Sequence, residues 1–185
     1  MDGHDTLPSF KYHPDPVRTG SVQVDPETEC LSCEQIRGYI YVGPVYSTQE
    51  TDLDEQLCPW CVADGTAAEK FHASFNDAAV MNGVTPEVME EVGKRTPGFV
   101  AWQESQWLTC CKDAAAFLGL AGAEELRRNF PQAIRPVKEY LRNQYDLDGS
   151  DLTDFFDTLD KDDQPTAYIF KCLHCGAFLA YVDET

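Results

Sequence analysis

Eight cysteines in 185 residues fall into four close pairs: Cys30 with Cys33, Cys58 with Cys61, the adjacent Cys110 and Cys111, and Cys172 with Cys175. Each pair needs a chemical use, and that use dictates the backbone around it. A two-residue gap lets a tight turn aim both sulfurs at one ion, and two such pairs supply the four tetrahedral ligands that zinc prefers. The spacing predicts one site from Cys30, Cys33, Cys58 and Cys61. It predicts a second in which Cys172 and Cys175 meet Cys110, Cys111 or both, so that the chain carries one or two zinc ions.

The competing use is a disulfide framework, which serves small secreted proteins with thin cores. Here the chain opens Met1-Asp-Gly-His4-Asp-Thr-Leu-Pro8, without the basic and then apolar stretch of a secretory leader. No apolar run approaches the roughly 20 residues that span a bilayer. The expected setting is a reducing cytoplasm with no membrane contact, where paired cysteines hold metal.

Thirty-two acidic residues against fourteen basic ones leave a formal charge of −18. Zinc knuckles often serve nucleic-acid binding, but phosphate contact needs Lys and Arg, and this chain has few. The acidity argues against nucleic acid and for a basic protein partner, or for solubility alone. The oligomeric state stays open.

Along the chain, residues 1–25 read as an extended arm, with Pro8, Pro14 and Pro16 interleaved with Phe10, Tyr12 and His13, aromatic enough to pack onto the body. The Cys30-Leu-Ser-Cys33 knuckle leads into a β-branched and aromatic run, Gly38 to Tyr46, read as strand. After Cys58-Pro-Trp-Cys61, the pair Thr66 and Glu69 predicts a capping box opening a helix with Ala67, Ala68, Phe71 and Phe75 as its apolar stripe. Thr85-Pro86 predicts another helix start, with a stop near Arg95 to Gly98.

Trp107, Cys110, Cys111, Ala114 and Leu118 recur at helical spacing, which places the third cysteine pair on an apolar helical face. Adjacent helical residues point about 100° apart, so core packing and ligation both stay open there, with one ligand more natural than two. Charged helices follow around Glu124 to Asn129 and Val137 to Gln144. In the acidic segment, residues 146–165, Ser150 reads as the cap of a helix with Leu152, Phe155, Phe156 and Leu159 on one side. Thr166 to Val182 reads as strand, knuckle, strand, with Gly176 freeing the turn. The whole predicts an α+β chain, a single compact domain over residues 1–185 with zinc-ribbon-like knuckles on short hairpins packed with amphipathic helices.

Cys58-Pro-Trp-Cys61 also admits a thiol-disulfide enzyme, because a thiol at a helix start has its pKa lowered. The strand-helix frame of such enzymes is not evident. His4, His13, His72 and His174 are the histidines, and His13 can complete a mixed site with Cys110 or Cys111. No nucleophile elbow, phosphate loop or deaminase pattern is present, so no residue pattern argues for catalysis.

Phe10-Lys-Tyr-His-Pro-Asp-Pro16 with Thr19-Gly20, Cys30-Leu-Ser-Cys33, Tyr41-Val-Gly-Pro44, Leu57-Cys-Pro-Trp-Cys-Val-Ala-Asp-Gly65, Arg95-Thr-Pro-Gly-Phe99, Trp102-Gln103, Trp107, Cys111-Lys-Asp113 and Cys172-Leu-His-Cys-Gly176 together resemble the CbrC family of small bacterial proteins. The likeness spans nearly the whole chain. It implies a cytoplasmic zinc-binding protein with a protective or binding role, since one member is associated with colicin tolerance and related domains with immunity to toxins. A nuclease toxin is basic, and Asp148, Asp151, Asp154, Asp157, Asp160, Asp162 and Asp163 offer it a contact patch. The alternatives are the redox enzyme and an adaptor for some other partner.

Overall fold

The computed structural model describes residues 6–103 and 105–184. They form two compact units, residues 6–100 with 105–107 and residues 101–103 with 108–184.

The first unit is built on very short strands. β1 (Val22–Val24) pairs antiparallel with β2 (Tyr39–Tyr41), and β3 (Tyr46–Ser47) pairs with β4 (Ala73–Ser74). Between them lie α1 (Pro59–Ala63) and α2 (Thr66–Phe71), and α3 (Pro86–Arg95) follows. The start of α3 is as expected, with Thr85 extended at the cap and Pro86 at the first helical position. That of α2 is not. Thr66 lies inside the helix, Gly65 caps it at φ +83°, and the Asp64 carboxylate accepts the Thr66 amide and hydroxyl at 2.9 and 2.6 Å. An Asx turn outcompetes the capping box because aspartate holds the amide from one step further back.

The proline-rich arm packs as its aromatics predict: Phe10 and Tyr12 are buried, and His13 is fully buried. The His13 Nδ1–H donates to the Pro97 carbonyl at 2.8 Å, which leaves Nε2 to accept the Thr19 hydroxyl at 2.6 Å. Both ring nitrogens are therefore engaged, and His13 is not a free metal ligand. Burial pushes its pKa from 6.5 down to about 4. The fold holds the neutral ring, so its contribution is complete above pH 6.5. It is lost as the pH falls towards 4, where the unfolded chain takes up a proton that the folded one refuses. Between pH 6.5 and 5, stability should fall by about 2 kcal/mol more than in His13→Gln. Urea unfolding of the two proteins across that range checks this, and a difference independent of pH would refute it.

The second unit begins with the hairpin β5 (Thr109–Cys110) and β6 (Asp113–Ala114) and then a three-stranded antiparallel sheet in the order β7 (Ala116–Ala121), β8 (Thr166–Lys171), β9 (Phe178–Asp183). Between β7 and β8 come α4 (Ala123–Arg128), a 3-10 turn at Pro131–Ala133, α5 (Ile134–Tyr145) and α6 (Gly149–Thr158). Pro136 falls in the first turn of α5, where its missing N–H has no partner to lose, so the helix starts ahead of it.

The stripes of these helices, Leu126, Val137, Leu141, Leu152 and Phe156, form one core with Ala167, Ile169 and Val182 of the sheet. The intervening residues of β8 project to the opposite face. There Phe170 meets Phe117 at 5.2 Å and Tyr168 stacks on Tyr181 at 4.5 Å. The α+β class with short antiparallel strands is the one that the residues predict.

Candidate metal centres

In the first unit, Tyr41 of β2 draws the chain before α1 alongside by donating its amide to the Leu57 carbonyl at 2.8 Å, while the Leu31 amide reaches Gln56 at 2.9 Å. Cys58 is thereby set beside the Cys30 knuckle as the cap of α1, with Pro59 opening the helix and Cys61 one turn on. The four sulfurs of Cys30, Cys33, Cys58 and Cys61 lie within 4.8 Å of one another. Cys33 and Cys58 are 3.9 Å apart, and the Cys58 amide donates to the Cys30 sulfur at 3.2 Å.

Thiols of Cys58 and Cys61 also donate to Cys30, which holds its pKa far below the usual thiol range and pushes that of Cys58 far above it. Burial raises Cys33 to about 11. Four sulfurs that share protons among themselves form an arrangement that a cation can enter by displacing those protons. A thiol-disulfide nucleophile needs the opposite at Cys58, an accessible sulfur with a lowered pKa. Cys58 is 1% exposed.

In the second unit, the sulfurs of Cys110, Cys111, Cys172 and Cys175 likewise lie within 4.8 Å of one another. Cys172 and Cys175 occupy the turn of the β8–β9 hairpin, as its residues predict. The helical placing of Cys110 and Cys111 is corrected by the structure. They form the tip of the β5–β6 hairpin, with Cys110 opposite Asp113, and Cys111 and Lys112 both left-handed at φ 53° and 63°. Two left-handed central residues make the turn that matches strand twist, normally given to Asn-Gly. With the chain reversing there, adjacent cysteines can face one ion. Cys110 lies 3.7 Å from Cys111 and 3.8 Å from Cys175. Amides of Cys175 and His174 lower the Cys172 thiol to about 6, and donation to Cys172 raises Cys110 to about 12.

The two knuckles have the same backbone. The Cys30 amide donates to Gln35 and the Glu34 amide to Cys30, at 3.0 and 2.7 Å; the Cys172 amide donates to Ala177 and the Gly176 amide to Cys172, at 2.8 and 3.1 Å. Glu34 at φ 56° stands where Gly176 stands at φ 73°. Around a tetrahedral ion with metal–sulfur bonds of roughly 2.3 Å, sulfurs sit about 3.8 Å apart, whereas a disulfide brings them to about 2.05 Å. The observed 3.7–3.9 Å matches the former, and all eight thiols are free. Donor set and spacing therefore fit a tetrahedral cation, and both tetrads could hold a metal ion.

One contact escapes the sequence. The His174 Nε2 lies 2.8 Å from the Asp113 carboxylate, tying the knuckle to the hairpin tip across the second tetrad, and neither spacing nor periodicity signals it. His4 lies outside the described residues. The seven aspartates from Asp148 to Asp163 are exposed, on α6 and the loop after it. Asp148, not Ser150, precedes the helix as its cap. Asp157 accepts a bond from Arg127, and Asp148 pairs with Arg142 at 3.7 Å. No helix among the described residues is long and apolar enough to cross a membrane.

Residues 7–184 match the model of the uncharacterised protein family UPF0167. The UPF0167 proteins of Mycobacterium bovis and Mycobacterium tuberculosis are each 50% identical over 179 residues, 96% of this chain and 93% of theirs. That of Pseudomonas aeruginosa is 39% identical over 180 residues, 92% of this chain and 93% of its own. No solved structure matches. By a family match across nearly its whole length, the chain belongs to UPF0167.

Proposed function

We propose that the chain is a cytoplasmic zinc protein of the CbrC kind whose ions brace the fold, and that it works by binding a basic protein, of which a nuclease toxin is the favoured class. The observation that carries the zinc reading is that the four sulfurs of each tetrad lie within 4.8 Å of one another, with Cys33–Cys58, Cys110–Cys111 and Cys110–Cys175 at 3.7–3.9 Å, close to the edge length of a zinc–thiolate tetrahedron. Eight cysteines at ligating rather than bonded separation suit a reducing compartment.

The binding reading draws on the charge of −18 and on the exposed aspartates of α6. A nuclease must be basic to grip its substrate, and an acidic inhibitor gains fast, electrostatically steered association with it. Asp151→Lys with Asp154→Lys is expected to leave the melting temperature unchanged. It should slow association with a basic nuclease toxin domain by about tenfold near 0.01 M salt, where the Debye length is about 30 Å. Stopped-flow association at two salt concentrations reads this, and an unchanged rate at low salt would count against the patch.

A further inference from the structure

The two tetrads share a donor set and differ in surroundings. In the first, Cys30, Cys58 and Cys61 are 0–3% exposed, packed with Phe10, Val22, Leu57 and Phe71 in the core of their unit, and only Cys33 is partly exposed. In the second, Cys172 alone is buried; Cys110 is partly exposed, and Cys111 and Cys175 are exposed. The supports differ as well. Cys110 and Cys111 belong to a hairpin with two residues per strand, closed by left-handed Cys111 and Lys112, neither of which is the glycine such a turn favours. An oxidant finds one partly exposed sulfur in the first set, Cys33, and three partly or fully exposed sulfurs in the second.

We propose that the second tetrad is a peroxide-sensitive metal centre, which releases its ion on oxidation while the first keeps its own; this rests on the zinc reading above. The Cys175 thiolate attacks one oxygen of a hydroperoxide, so that an S–O bond forms, the O–O bond breaks and hydroxide leaves. The Cys110 thiolate, whose sulfur lies 3.8 Å away, then attacks the sulfenyl sulfur. The S–S bond forms, the S–O bond breaks, and hydroxide leaves again, carrying the hydrogen of the sulfenic acid. Two thiolates have lost two electrons and the peroxide has gained them. Zinc, left with two of its four protein ligands, departs as the hydrated ion. Cys110–Cys175 is favoured over Cys110–Cys111, because a bridge between adjacent residues closes a small ring that strains the peptide between them.

The test is hydrogen peroxide added to the zinc-loaded full chain, with zinc release followed by a chromogenic chelator and cysteine pairing by peptide mass mapping. Of two ions per chain, one should leave at least about ten times faster than the other, with a Cys110–Cys175 disulfide and with Cys30, Cys33, Cys58 and Cys61 unmodified. Cys175→Ser should hold one ion that the same dose does not release. Mapping of the unaltered chain decides the matter even if that variant fails to fold. Two bound ions that both stay, or that leave together, overturn this inference and spare the zinc reading. A reduced chain that binds no zinc overturns both.

Discussion

Cys30→Ser is expected to unfold the first unit and to cost the chain one metal ion. The Cys30 residue is fully buried, its sulfur accepts the Cys58 amide, and the sulfurs of Cys33, Cys58 and Cys61 lie within 4.8 Å of it. The strands around it are two or three residues long, so regular backbone pairing can supply little of that unit's stability. Structural zinc contributes roughly 10–16 kcal/mol in small sites, against a net stability of about 5–15 kcal/mol for a whole domain, so one lost ligand is enough. The readouts are zinc per chain and the thermal melt followed by circular dichroism. A variant that melts cooperatively at the parent temperature, with parent zinc content, would contradict the structural role of the tetrad. Cys172→Ser should be milder, because the helix-on-sheet core of the second unit holds without it.

Gly98→Ala should be nearly as damaging, for a reason unrelated to metal. A β-carbon there would come 2.1 Å from the Phe75 carbonyl oxygen and 3.0 Å from both the Asn76 side chain and Pro44. The Gly98 amide meanwhile donates to the Tyr41 hydroxyl at 3.0 Å, and that hydroxyl donates to the Pro44 carbonyl at 2.7 Å. Backbone on one side and a buried tyrosine on the other leave no direction of relief. Overpacking of this kind costs about 3 kcal/mol or more, which for a chain of this size lowers the melting temperature by roughly 6–12 °C. Gly20→Ala is the control. Its β-carbon meets nothing within 4 Å, so only the strain of φ +85° remains, worth about 1 kcal/mol. Equal melting temperatures for the two variants would refute the packing argument.

The parts legible in the sequence are those where one residue type has one physical use. Proline after threonine opens α3, and Gly176 between two apolar runs marks the β8–β9 turn. The helices around Glu124 and Val137 follow from the residues as charged helices, and the stripe of α6 follows from helical periodicity, because Leu152 and Phe156 share its buried face. The hairpin at Cys110 and Cys111 was not legible. A short left-handed turn without Asn or Gly carries no signature, and the helical spacing from Trp107 to Leu118 is a coincidence of residues that the structure spreads over a loop, a turn and three strands. β7 in particular reads Ala-Phe-Leu-Gly-Leu-Ala, a composition that favours no strand by itself. It becomes one by pairing with β8, with a bulge between Phe117 and Gly119. The likeness of Glu34 to Gly176 was hidden for a related reason: the hydrogen bonds of the knuckle, not the residue, impose the left-handed backbone.

The chain order of the ligands sets a timetable for synthesis. All four cysteines of the first tetrad lie between residues 30 and 61, so that centre can close while the ribosome is still extending the chain. Cys110 and Cys111, by contrast, emerge well before Cys172 and Cys175, and β7 likewise awaits β8 across three helices. At about 5–20 residues per second, the second set of thiols spends several seconds or more after the first centre is complete with half its partners unmade. A nascent chain therefore passes through a stage with one complete set of four ligands and a reactive pair of neighbouring thiols at an unformed hairpin. On the zinc reading proposed above, metal supply during translation then bears on how much of the protein is made correctly.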